Sequence, residues 1–118
     1  MGQGSIIGYE INEKTCQISF YNEKDLEPDT LEVDTDNYQI PLIIGKLRDT
    51  WAYGKEAKRL VTIKDGFTAT RLLSKSLAGD KIEFGEETYD AVWLLSQFIQ
   101  MSLQSFPEID GIVFTVPS

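Results

Sequence analysis

Residues 111–118, GIVFTVPS, follow directly on a long apolar helical stretch, and that succession constrains the fold more than any other feature of the chain. Ile112 to Val116 are apolar or β-branched without alternation. Unbroken apolarity predicts a strand covered on both faces, as central parallel strands are, whereas a half-exposed antiparallel strand alternates. The chain therefore falls in the α/β class.

The stretch before it, Glu86 to Phe106, predicts the longest helix. Glu86 and Glu87 in the first turn suit the positive end of the helix dipole, and Pro107 lies just past the end. On a helical wheel Ala91, Val92, Leu94, Leu95, Phe98, Ile99, Met101, Leu103 and Phe106 cover about 200°, twice the roughly 100° stripe of an ordinary surface helix. A helix of this kind packs on more than one side. Trp93 shares the remaining polar arc with Gln97, Gln100 and Gln104, which makes it a candidate interaction surface or an aromatic resting on its own helix. An over-wide helix and a central strand at the chain's end predict a partner chain or, preferred here, a longer protein of which residues 1–118 are one N-terminal domain.

Upstream, Ser5 to Ile11 and Thr15 to Tyr21 predict two antiparallel strands joined by the polar turn Asn12-Glu13-Lys14. Cys16, Ile18 and Phe20 alternate with Gln17, Ser19 and Tyr21, a period that turns one face inward. Residues 22–37 hold seven carboxylates against one lysine and predict a solvated acidic excursion with a short strand at Leu31 to Val33. Asp34, Asp36 and Asn37 lack the glycine and the distant glutamate of an EF-hand loop, so a plain acidic loop is preferred to a calcium site.

Tyr38 to Ile44 predicts a third strand, which Pro41 confines to an edge or interrupts. A short helix follows from near Gly54, with Ala57, Leu60 and Val61 as its apolar stripe. Phe67 to Ala78 predicts a second helix on Ala69, Leu72, Leu73 and Leu77, closed by Gly79, and Ile82 to Phe84 a brief extended piece.

The chain has 118 residues and a formal charge of -8. That size fits one domain with one core. A surface so acidic repels phosphate backbones and anionic headgroups, so neither nucleic acid nor membrane is an expected partner. The chain contains no histidine, which excludes Ser-His-Asp and Cys-His mechanisms within it. Cys16 is the only cysteine, so it forms no intramolecular disulfide and is expected as a buried, inert thiol. No signal-type hydrophobic segment opens the chain, and a cytoplasmic protein is expected.

Several stretches resemble, in order, the opening of the heat-shock chaperone branch of the actin-like ATPases. IIGYEI is similar to the family's first strand, YQIPLIIGKL to its proline-containing third strand, WAYGKEA to its Gly-x-x-Ala helix start, and GIVFTVPS to its Val-Ile-Thr-Val-Pro-Ala strand. The resemblance implies a ribonuclease H-like half-lobe: antiparallel N-terminal strands, then helices, then a buried parallel C-terminal strand. It covers only the beginning of the first lobe, so this chain alone carries no cofactor, and Mg·ATP would belong to the full-length protein.

Within that resemblance the nucleotide-phosphate hairpin falls on Glu10, Asn12, Glu13, Lys14 and Thr15. The family has an aspartate and Gly-Thr-Thr there, with backbone amides and hydroxyls on phosphate. Glu10 carries its carboxylate one methylene further. Glu13 stands where phosphate would sit, and two such charges 4 Å apart repel by about 4 kcal/mol at an effective dielectric near 20. The family's catalytic lysine falls on Thr70, followed by Arg71, with Lys75 one turn on as a weak substitute. The resemblance thus implies a degenerate nucleotide site on a scaffold or protein-interaction module, with a protein partner or downstream domain. The alternative is a divergent active ATPase completed by downstream sequence. A ribonuclease H-like nuclease would instead need Glu10, Glu87 and Asp110 around two metals about 4 Å apart, and the acidic chain offers no basic stripe for its substrate.

Overall fold

β1 (Ser5–Ile11) and β2 (Thr15–Tyr21) form the expected antiparallel hairpin, Tyr9 opposite Ile18 and Ile11 opposite Cys16. Alternation decides what each face does. Ile7, Tyr9, Ile11, Cys16 and Ile18 are buried on one face, while Ile6 and Glu10 on the other are exposed. The computed structural model describes residues 5–21, 29–30, 39–106 and 108–116. The expected strand at Leu31 to Val33 and the acidic Asp34, Asp36 and Asn37 lie outside the described residues.

β10 (Ile109–Thr115) runs parallel to β1, with Ile7 opposite Ile112 and Glu10 opposite Thr115. The other edge of β2 takes β3 (Asp29–Thr30) and, further along, β4 (Gln39–Pro41). The five-stranded sheet thus has the order β10-β1-β2-β3, with β4 also on β2. Pro41 ends β4 on an edge, as a residue without an amide proton requires.

A three-stranded antiparallel sheet follows, of β5 (Ile44–Leu47), β6 (Thr50–Tyr53) and β7 (Gly66–Ala69), with β5 in the middle. Between β6 and β7 lie α1 (Lys55–Lys58), which starts after Gly54 as expected, and a 3-10 turn (Arg59–Thr62). Ala57 and Leu60 are buried there, but Val61 is exposed, because the 3-10 turn rotates it off the stripe. Gly45 lets β5 approach that turn: a Cβ there would meet Leu60 Cδ1 at 2.9 Å and the Phe67 carbonyl oxygen at 3.0 Å.

The second expected helix is shorter than its pattern. α2 spans Leu72–Ala78, and Phe67 to Ala69 belong to β7, paired with β5. The edge of β5 offers hydrogen bonds that an aromatic and β-branched run takes as a strand. Leu77 is 83% exposed, so the core face of α2 is narrower than the spacing implied. Gly79, at φ 71°, closes α2 in the left-handed conformation as expected.

β8 (Lys81–Phe84), which contains the expected extended piece, pairs with β9 (Glu87–Asp90) across Gly85 at φ 66°. α3 therefore spans Ala91–Ser102 rather than starting at Glu86. Glu86 and Glu87 belong to the hairpin and not to a first helical turn. The positive-φ glycine makes the turn, and Thr88 and Tyr89 favour the strand that follows.

α3 lies over the buried face of β1 and against β5 and β6 of the three-stranded sheet. Phe98 meets Tyr53 edge-on at 5.7 Å, and the Tyr9 hydroxyl lies 2.7 Å from Ser102 Oγ. α3 also packs against α2, so it is used on more than one side. The core runs through Ile7, Tyr9, Ile18, Leu42, Ile44, Leu72, Leu94 and Phe98.

β10 departs most from expectation. It is parallel, but Ile112, Val113, Phe114 and Val116 are exposed, Val113 at 61%. Among the described residues it pairs only with β1, so it is an edge strand, and nothing described covers the face that carries Ile6 and Val113.

Candidate functional site

The turn between β1 and β2 is held by one side chain. Asn12 Oδ1 accepts the backbone N–H of Lys14 at 2.8 Å and that of Thr15 at 2.9 Å, while the Asn12 amide donates to the Thr15 carbonyl at 3.0 Å. Asparagine makes such local turns readily. The Lys14 and Thr15 amides, which could converge on a phosphate in this hairpin, are already satisfied from within.

Glu13 accepts a 2.8 Å hydrogen bond from the Ser74 hydroxyl of α2. That bond ties the hairpin to α2 and orients the carboxylate. Glu13, Lys14 and Thr15 line a cleft of about 350 Å³ together with Pro41, Leu42, Ile43, Lys58, Thr70 and Arg71. The two residues placed by resemblance in the catalytic helix thus stand beside the hairpin. Lys75, one turn along α2, is not in that lining. Arg71 itself precedes α2 at φ 55° and ψ 38°, the left-handed region that costs a β-carbon residue about 1 kcal/mol or more.

Glu10 is elsewhere. It lines a cleft of about 270 Å³ on the other side of the hairpin, with Asn12, Thr15, Gln17, Gln39 and Thr115. Asp110 is five positions down β10 from the residue opposite Glu10 and on the other face of that strand, which separates them by roughly 16 Å along the strand. Glu87 pairs with Lys46 in a different sheet at 3.0 Å. The three nuclease candidates are not brought together.

Trp93 does not stand alone on a polar arc. It stacks on Tyr89 at 5.2 Å and meets Trp51 edge-on at 5.7 Å. Lys46 lies 5.2 Å from the centre of the Trp51 ring and donates to the Tyr89 hydroxyl at 3.1 Å. That hydroxyl donates to Glu87 at 2.8 Å. Hydrogen bonding to Tyr89 and then Glu87 raises the Lys46 pKa, and hydrogen bonding to Lys46 and then Tyr89 lowers that of Glu87. The cluster fastens the β8–β9 hairpin to β5 and β6, so Trp93 has a packing role although it is 41% exposed.

The family model described as "Family of unknown function (DUF5716) C-terminal" matches residues 27–118. The chain belongs to that family. No curated protein matches it. The matched stretch contains Lys58, Thr70, Arg71 and Trp93, whereas the β1–β2 hairpin precedes it.

Two features of the site were missed in sequence. Lys58 gave no motif, being one of several lysines near α1. The role of Asn12 had a signal in its spacing to Thr15, since Asn-x-x-Thr permits an Asx turn closed by the threonine.

Proposed function

We propose that this chain is a scaffold or protein-interaction module built on the half-lobe of an actin-like or heat-shock chaperone-type ATPase, with a degenerate nucleotide site. The parallel pairing of β10 with β1, the antiparallel β1–β2 hairpin and the start of α1 after Gly54 support the ribonuclease H-like reading. The observation that carries the degenerate site is Asn12 Oδ1, which takes the Lys14 and Thr15 amides that a phosphate would need. Glu13 adds a negative charge beside them. The exposed apolar residues of β10 suit a protein partner or a downstream domain.

The deciding experiment is a thermal melt of the protein at its full natural length with Mg·ATP. A bound nucleotide at a hundredfold excess over its dissociation constant stabilises by about 2.7 kcal/mol. We expect no shift at millimolar Mg·ATP. A magnesium-dependent shift would overturn this reading in favour of a divergent ATPase completed by downstream sequence, which the placement of Thr70 and Arg71 beside the hairpin favours.

A further inference from the structure

Three cations line one concave surface of a chain whose formal charge is -8. Lys14, Lys58 and Arg71 have no side-chain hydrogen bond or ion pair within the described residues. Two other cations of the chain are paired: Arg59, next to Lys58, holds Glu56 at 3.1 Å, and Lys46 holds Glu87 at 3.0 Å. The one carboxylate in the lining, Glu13, is engaged by Ser74.

The walls of this cleft are braced to one another. Leu42 N–H donates to the Lys14 carbonyl at 2.8 Å, Gly54 N–H to the Ile43 carbonyl at 3.0 Å, and Lys58 N–H to the Gly54 carbonyl at 3.1 Å. That chain runs from Lys14 to Lys58. The Glu13–Ser74 bond fixes the third wall, and Ser74 is also within 3.4 Å of the Arg71 carbonyl. Arg71 is held in the left-handed region where a glycine would be at ease, and such conformations persist where the surroundings over-determine them.

We propose that this cleft binds a compact oxyanion of the phosphate class, as free phosphate or as the phosphate group of a small metabolite. Lys14, Lys58 and Arg71 supply the charge, the guanidinium offers a two-pronged contact to the oxygens, and the Thr70 hydroxyl adds a neutral hydrogen bond. The volume of about 350 Å³ lies within the range of small-molecule sites and accommodates an organic group attached to the phosphate. This site takes the Lys14 side chain from the hairpin turn but does not need the turn's amides. It shares Thr70 and Arg71 with the ATPase alternative above, and the phosphate titration and the Mg·ATP melt fail separately.

Isothermal titration of the full chain with inorganic phosphate, and in a parallel arm with glycerol 3-phosphate, tests it at constant ionic strength balanced with chloride. Saturable binding is expected in at least one arm, and the tighter arm distinguishes free phosphate from a phosphate ester. Lys58→Gln and Arg71→Asn should each weaken binding about tenfold, and asparagine tolerates the left-handed backbone at that position. Lys81→Gln, at a lysine outside the lining, should leave binding unchanged. Phosphate-dependent shifts of the Thr70 and Arg71 backbone amide resonances should report the same order of affinities. No saturable binding in either arm, or binding retained in the Lys58→Gln/Arg71→Asn double variant with its melting curve intact, overturns the proposal. Binding that requires Mg·ATP and responds to Asn12 instead of Lys58 also overturns it.

Discussion

Removing the Tyr9 hydroxyl should cost less than removing the hydroxyl it binds. Ser102 Oγ donates its single proton to the Ile99 carbonyl at 2.8 Å, so across the 2.7 Å contact Tyr9 is the donor and Ser102 the acceptor. Cys16 Sγ in turn donates to the Tyr9 oxygen at 3.6 Å. All three groups are buried. In Tyr9→Phe the Ser102 proton keeps its partner and only a weak thiol donor is left unpaired, so the loss is one net hydrogen bond, about 1 kcal/mol. In Ser102→Ala the tyrosine proton is stranded in the core, which costs about 2–3 kcal/mol. The double variant strands neither group, so the two costs should fall short of adding by about 1 kcal/mol or more. Urea unfolding at constant m-value measures all three. If Tyr9→Phe proves as costly as Ser102→Ala, or the costs simply add, the assigned direction of this relay is wrong.

Burial pushes the Cys16 thiol up to about 11, with the Tyr9 hydrogen bond opposing the shift. The unfolded thiol ionises first, near pH 8.5, so this contribution is fully present below that pH and fades as pH rises toward 11, by roughly 3 kcal/mol when complete. Urea midpoints between pH 8 and 10 should fall more steeply in the native chain than in Cys16→Ala, and equal slopes would contradict the burial argument. For Glu87, whose pKa is lowered chiefly by Lys46, the stabilisation is present above the ordinary carboxylate range and lost as pH falls through the folded value. Glu87→Gln should therefore flatten the acid limb of stability between about pH 5 and 3, and an unchanged limb would remove the pair from the account. Gly45→Ala, whose Cβ would meet a backbone carbonyl at 3.0 Å, should destabilise by about 1–3 kcal/mol in chemical denaturation, where a neutral result would mean that β5 yields freely.

Legibility in the sequence followed the range of the forces involved. The β1–β2 hairpin was readable because alternation and turn residues are local, and the C-cap at Gly79 because only a residue without Cβ takes that backbone at ease. The parallel β10 was readable as a type, yet its exposure was not, since covering depends on what lies across the sheet. Phe67 to Ala69 and Glu86 to Asp90 were misassigned for one reason: both carry a helix-compatible spacing, but hydrogen-bonding strand edges take them first. Trp93 had no sequence sign of Trp51 and Tyr89, which reach it from other elements. Lys58 came to the cleft the same way, through the bonds that run from Lys14 by Leu42 and Gly54.

In the hairpin the obstacle to a phosphate grip lies at a different residue from the one its charges indicate. Read as sequence, Glu13 is the problem, and Lys14 beside it is the natural relief. In the folded chain the carboxylate is bound by Ser74, and Lys14 makes no ion pair with it, so that relief is absent. Charge repulsion of this kind is screened by salt and solvent, whereas the two amides held by Asn12 Oδ1 must be released before any anion can use them. Each such bond is worth about 1 kcal/mol net, and the carboxylate repulsion comes on top. Because Asn12 also sets the turn through its own amide, an incoming phosphate would have to rebuild the loop that positions it. The same rigidity benefits the opposite side of the hairpin, where Lys14 is fixed by Leu42 in a cleft with two other unpaired cations. The side chain that closes the hairpin's amides therefore also steadies the wall of the more cationic cleft.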